Sequence, residues 1–152
     1  MQISDFLSPT EVLIDLRVAD KETLLEDLAR RASARVNVPA ERIASELLKR
    51  EELGSTGMGT GVAIPHARFP ELQRPFGLLA KLKAAIDFQA IDGQPVDIVF
   101  LLLLPAAAEG EQLGALATVA RKLRTAEELK RLRASRTTAQ LFEAFVRASL
   151  AN

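Results

Sequence analysis

The chain has no cysteine, no tryptophan, no tyrosine and a single histidine in 152 residues. Without thiols there is no disulfide, no thiolate nucleophile and no thiolate metal site, which agrees with a reducing compartment. One imidazole without thiolates cannot assemble the usual zinc ligand sets, so no metal is expected. Net charge is missing too: twenty basic and twenty acidic side chains cancel. No overall field therefore holds the chain on nucleic acid or an anionic membrane. Its longest apolar run, Ile98 to Leu104 followed by Pro105 and three alanines, is far below the roughly 20 residues that span a bilayer. The opening residues, MQISDFLSPTEV, lack the basic segment of a secretory signal, and the cytoplasm is the expected location.

What remains is an ordinary soluble composition, with 48% hydrophobic and 26% charged residues. A chain of this length fits one domain, here 1–152, that buries about 68–70% of its unfolded surface. Val12 to Leu16 reads as a first strand, and Asp20 as the cap of a helix with Leu24, Leu25, Leu28, Ala29 and Ala32 on one face. Pro39 suits the first turn of a second helix, with Ile43, Leu47 and Leu48 inward, which stops near Gly54. Arg50 falls on its last turn, where the helix dipole favours a cation. Phe76 to Leu82 reads as a strand and Ile86 to Ile91 as the lead into its partner, with Asp92-Gly93 a strong reversal. Val96 to Leu104 is the most continuous strand, the pattern of a central position covered on both faces.

Helical spacing returns from Glu109, with Leu113, Leu116, Ala117, Ala120 and Leu123 on one stripe. Thr125 with Glu128 forms a capping-box pattern. A last amphipathic helix carries Leu141, Phe142, Phe145 and Val146. The expected fold is a single α/β domain, a mixed and mostly five-stranded sheet flanked by helices on both faces.

Between Arg50 and Arg68 the sequence reads REELGSTGMGTGVAIPHAR and holds four of the eight glycines and the only histidine. The glycines do not make a P-loop, because no Gly-Lys-Ser/Thr follows. Nor do they make a dinucleotide fingerprint, because Val62-Ala63-Ile64-Pro65 does not open a helix. Two readings stay open together. Alternating glycines permit a bulged or closely approached strand, and Gly54, Ser55, Thr56 and Gly57 let successive N–H groups converge on an anion.

His66 follows Pro65 and ends an apolar run, which presents the imidazole from a stiff support at a sheet rim beside the end of the second helix. No Gly-x-Ser-x-Gly elbow serves a serine triad. Histidine acting as the nucleophile itself remains. At an ordinary pKa near 6.5 the ring is about three-quarters neutral at pH 7, so its free nitrogen can attack a phosphoryl group without a separate base.

Arg50-Glu51, Gly54-Ser55-Thr56-Gly57 and Gly61 to Ala67 together resemble the signature of enzyme IIA domains of the fructose/mannitol class in the bacterial phosphotransferase system, and more closely its nitrogen-regulatory branch. Ile91 to Asp97 and Val119 to Leu123 extend the resemblance over nearly the whole chain. It implies that His66 accepts a phosphoryl group from an HPr-type phosphocarrier, through a covalent phosphohistidine and without a cofactor. It also implies that Arg50 is the active-site arginine and that Ser55 and Thr56 lie beside the phosphate. Arg68 offers a second cation or a solvated charge. Family partners include potassium-transport and sensor-kinase proteins, and a stand-alone chain without a cysteine motif of the IIB type fits a regulator. The other readings are a module that regulates by contact alone and a fructose- or mannitol-type sugar subunit. Many members carry a second histidine where this chain has Gly114, with Gln112 nearby.

Arg121, Lys122, Arg124, Lys130, Arg131, Arg133 and Arg136 form a basic cluster. It reads as a solvated helical face or as a docking surface for an acidic partner. Nucleic acid fits poorly because no aromatic residues are interleaved.

Overall fold

The computed structural model describes residues 2–107 and 110–147, with 111–113 described by their backbone alone. Glu109 and the side chains of Gln112 and Leu113 therefore lie outside the described residues. The chain forms strands β1 (Val12–Leu16), β2 (Gly57–Gly59), β3 (Val62–Ala63), β4 (His66–Phe69), β5 (Phe76–Ile86) and β6 (Val96–Pro105). Its helices are α1 (Lys21–Ser33), α2 (Ala40–Glu52), α3 (Glu111–Lys122), α4 (Ala126–Ala134) and α5 (Thr138–Val146).

β6 is the central strand, as its unbroken apolar run predicts. It pairs antiparallel with β5 on one side and parallel with both β3 and β4 on the other. The order across the sheet is β1-β5-β6-β3-β2, with β4 also on β6. β3 meets β6 at Ile98 and Val99, and β4 meets it from Leu102 to Pro105. The two short strands thus share one lane, broken at Ile64-Pro65, so the sheet has six strands in five lanes.

Strand alternation sends successive β6 side chains to opposite faces. Val99, Leu101 and Leu103 join α1 and α2 in one core. Ile98, Phe100, Leu102 and Leu104 join α3, α4 and α5 in the other. This two-sided burial is the physical content of the expected α/β layering.

Asp20 caps α1 as expected, accepting from Thr23 N at 2.8 Å. Pro39 is the N-cap of α2 rather than a residue of its first turn. Three other details differ from the sequence reading. β5 runs on to Ile86, and no strand follows it to Ile91. There Gln89 takes a positive φ and donates its N–H to Asp87, which ends pairing, while Ile91 is 88% exposed. Thr125 begins α4 without a side-chain cap, because Glu128 is buried between Lys122 and Arg131 instead of reaching back.

Gly114 occupies the interior of α3, where glycine costs backbone entropy, and a Cβ there meets nothing within 4 Å. Gly114→Ala is expected to stabilise the fold by about 0.5–1 kcal/mol, read as an increase in denaturation midpoint at constant m.

Candidate functional site

The glycine segment resolves into a tight β2–β3 hairpin. Thr60 and Gly61 both have positive φ, the requirement of the turn that matches strand twist. Arg133 from α4 closes over this turn, donating to Thr60 O at 2.6 Å and to the Asp97 carboxylate. Gly57 bears out the close-approach reading, since a Cβ there would lie 2.7 Å from Ala90 Cβ.

The anion-nest reading fares differently. Thr56 N donates to both oxygens of Glu51 at 3.1 and 3.2 Å, Gly57 N donates to Ser55 Oγ, and Gly54 N donates to Glu51 O. Ser55 Oγ is turned toward Phe88 O at 2.8 Å. Three of the four expected donors are thus occupied by the protein itself. The loop is a braced turn, not an open row of N–H groups.

Beyond the hairpin, β4 starts at His66. Pro65 O accepts from Leu102 N and the β4–β6 ladder continues from Leu102, so the imidazole is carried by backbone fixed to the central strand. Ala67 and Phe69 belong to the α1/α2 core. His66 and Arg68 therefore take the alternate side, toward α3. The outer side of β4 has no strand partner among the described residues, which puts the histidine at a sheet edge.

The C-terminal end of α2 closes over that edge. A cleft is lined by Arg50, Leu53, His66, Arg68, Leu104 and Leu116, among others. Arg50 is in the last turn of its helix, as expected, and donates to Gly54 O at 2.8 Å. Among the described residues, neither Arg50 nor Arg68 has a carboxylate in ion-pair contact. Glu46, Lys49 and Glu52 also line the cleft, but neither glutamate pairs with Arg50 or Arg68, and two arginines beside a half-buried imidazole, free of ion pairs among the described residues, are suited to drawing in an anion.

His66 Nδ1 lies 2.8 Å from Ile64 O. A carbonyl oxygen only accepts, so Nδ1 carries the proton and Nε2 of the neutral ring keeps its lone pair. Burial lowers the His66 pKa below 6.5 as the largest cause, and Arg50 and Arg68 lower it further. The Ile64 hydrogen bond and Glu51 pull the other way. The ring is therefore held neutral more firmly than a free histidine near pH 7.

A base with a depressed folded pKa binds protons more tightly when unfolded. Its contribution to stability is full above about pH 6.5 and is lost as pH falls from there through the folded value. Because the chain has one histidine, its proton titration by NMR is unambiguous. The midpoint is expected below 6.5, and a value at or above 6.5 contradicts the burial argument.

Sequence reasoning included Glu51 in the signature beside Arg50 but gave it no role of its own. Its side chain is only 5% exposed and pairs with Lys21 at 2.9 Å. The basic cluster is partly neutralised: Lys122 and Arg131 face Glu128, and Arg133 holds Asp97. Arg121, Arg124, Lys130 and Arg136 are exposed. Among the described residues, no group of three or more histidine and carboxylate side chains is arranged to hold a metal, and no helix is long and apolar enough to cross a membrane.

The chain belongs to the EIIA 2 family of the phosphoenolpyruvate-dependent sugar phosphotransferase system, whose family model matches residues 5–148. It is 44% identical over 142 residues to a nitrogen regulatory protein of Bradyrhizobium diazoefficiens, covering 93% of each chain. A nitrogen regulatory protein of Pseudomonas aeruginosa is 37% identical over 147 residues, 96% of each. The crystal structure of nitrogen regulatory protein IIA-Ntr from Neisseria meningitidis superposes with a TM-score of 0.89 at 29% identity, over 94% of this chain and 98% of that one. IIA mannitol from Escherichia coli shares the fold, with a TM-score of 0.74 at 17% identity over 91% and 98% of the two chains. The family and the nitrogen-regulatory likeness expected from the signature are both borne out.

Proposed function

We propose that the protein is a phosphohistidine carrier of the nitrogen-regulatory kind, taking a phosphoryl group on Nε2 of His66 from an HPr-type phosphocarrier. One observation carries this reading: the neutral imidazole, with Nδ1–H tied to Ile64 O, shares a cleft with two arginines that have no carboxylate partner.

In the transfer, the Nε2 lone pair forms a new N–P bond while the N–P bond to the donor histidine breaks. The donor nitrogen keeps the electron pair of the broken bond, and nothing is oxidised or reduced. No base is needed, because Nε2 begins without a proton and the Nδ1 proton stays against Ile64 O. Arg50 and Arg68 supply positive charge to the phosphoryl oxygens. Gly54, Ser55, Thr56 and Gly57 do not line the cleft itself; Gly54 O holds Arg50, and Thr56 O holds Ile64 N behind the imidazole. They would reach the phosphate only by giving up their present partners.

Phosphorylation would add up to about two negative charges to a protein of zero net charge. Such a change at an exposed cleft is suited to switching the binding of regulated proteins, and the names of the relatives point to nitrogen regulation. Potassium-transport and sensor-kinase proteins are the partners to test first. Gly114 offers no imidazole for relaying the group onward, which favours the regulator over a sugar-transport subunit.

The test is incubation with phosphoenolpyruvate, enzyme I and the phosphocarrier, followed by intact mass and peptide mapping. One added phosphoryl group on His66, labile in acid and stable in base, is expected. A competent control beside an unmodified wild-type protein would falsify the carrier reading and leave regulation by contact alone.

A further inference from the structure

We propose that Glu51, acting through Thr56, is a positioning residue for His66 that sets which imidazole nitrogen is free to react. This rests on the carrier reading for its effect on rate, but not for its effect on the ring.

A continuous line of hydrogen bonds joins the two residues. Lys21 Nζ donates to Glu51 Oε1 at 2.9 Å. Glu51 accepts from Thr56 N and from the Thr56 hydroxyl. Thr56 O in turn accepts from Ile64 N at 3.1 Å, and Ile64 O accepts from His66 Nδ1 at 2.8 Å. The last acceptor decides the tautomer, and its orientation is fixed from both ends. On one side the Ile64 N–H is tied to Thr56, and on the other Pro65 O is tied to Leu102 N.

The base of this line is unusual for a loop anchor. Burying a carboxylate is costly unless it is paired and hydrogen-bonded, and the described contacts of the Glu51 carboxylate are Lys21 and Thr56. Lys21 is itself only 15% exposed and lies over the Phe88 ring, 4.8 Å from its centroid. The carbonyl of that same Phe88 holds Ser55 Oγ, so both flanks of Thr56 are tied to one small cluster. A surface anchor needs none of this, whereas a nucleophile that must keep one ring nitrogen bare does.

Arg50 and Glu51 are adjacent on α2 and do opposite things. Arg50 faces the cleft, where an anion is to bind. Glu51 is turned inward to hold the backbone that aims the imidazole.

The test uses the sole histidine as its own reporter. Long-range proton–nitrogen NMR of the labelled full chain at pH 7.5 is expected to show the Nδ1–H tautomer dominating in wild type. Glu51→Ala is expected to give a tautomer mixture and about tenfold slower phosphorylation. Glu51→Gln, whose amide oxygen still accepts from Thr56 N, restores most of both. If Glu51→Ala fails to fold because Lys21 is left unpaired, Lys21→Met/Glu51→Ala removes that burden and the same readings apply. A folded variant that keeps the wild-type tautomer overturns the proposal, as does one that is slowed with its tautomer unchanged. If wild type itself takes no phosphoryl group, the carrier reading fails and the tautomer alone decides the role of Glu51.

Discussion

His66→Gln is expected to end phosphoryl acceptance, and Arg50→Ala to slow it by about a hundredfold without unfolding the protein. The first follows because no other imidazole exists in the chain. For the second, a unit charge about 4 Å from the phosphoryl oxygens is worth on the order of 4 kcal/mol at an effective dielectric near 20, before desolvation. Mutational losses of single transition-state donors run at about 2.7–4 kcal/mol, or roughly 10²–10³ in rate. Arg50 is half-buried and has solvent on one side, so the lower end of that range applies. Its structural role is small, a single described hydrogen bond to Gly54 O, so the thermal midpoint should move little.

The same substitution removes one of the charges that lowers the His66 pKa, so the NMR titration midpoint must rise. A slowed variant with an unmoved midpoint would mean that Arg50 acts elsewhere, on the phosphocarrier for example. Arg50→Lys keeps the charge and loses the two-pronged geometry, and its rate is expected between those of Arg50→Ala and wild type.

The parts of this site that were legible in the sequence are the local ones. An arginine at a helix end, a proline before the only histidine and glycines at a turn are fixed by neighbours within a few residues. The unbroken run of β6 also told of a strand covered on both faces, and both cores follow from it. The role of Glu51 was not legible, because its partner Lys21 is 30 positions away and only the packing of α1 on α2 brings them together. For the same reason Glu128 looked like a capping residue. Its charge is claimed by Lys122 and Arg131 in the tertiary fold, which outweighs a local cap. The spent donors of the Gly54–Gly57 loop have a similar origin: a nest is a backbone pattern, but a buried carboxylate beside it takes the N–H groups first. The five expected strands correspond to five lanes, one of which Ile64-Pro65 divides into β3 and β4.

Phe100→Ala is expected to cost about 3–5 kcal/mol, against a total stability of about 5–15 kcal/mol for a domain. Phe100 is fully buried on β6, with its ring edge-on to Phe6 at 6.1 Å and stacked on Phe145 at 5.4 Å. It therefore joins the N-terminal segment and α5 to the central strand in one contact, and its loss leaves a cavity that neither flank can fill alone. The measurement is chemical denaturation, with a lower midpoint and an unchanged slope. At roughly 2–4 °C per kcal/mol for a chain of this size, the thermal midpoint falls by about 10 °C.

Gly77 supplies the control. A Cβ at Gly77 would lie 2.5 Å from Phe100 Cζ and 2.8 Å from Cε1, so Gly77→Ala alone forces the ring aside and destabilises by about 1–3 kcal/mol. Once the ring is gone that conflict disappears, although Phe6 O remains at 3.0 Å. The double variant should therefore lose less than the sum of the singles, by at least about 1 kcal/mol of coupling. Strict additivity would show that the glycine is required by the Phe6 carbonyl rather than by the ring. The phosphorylation rate of the folded fraction should be unaffected in either case, because the Phe6–Phe100–Phe145 cluster contributes no residue to the His66 cleft.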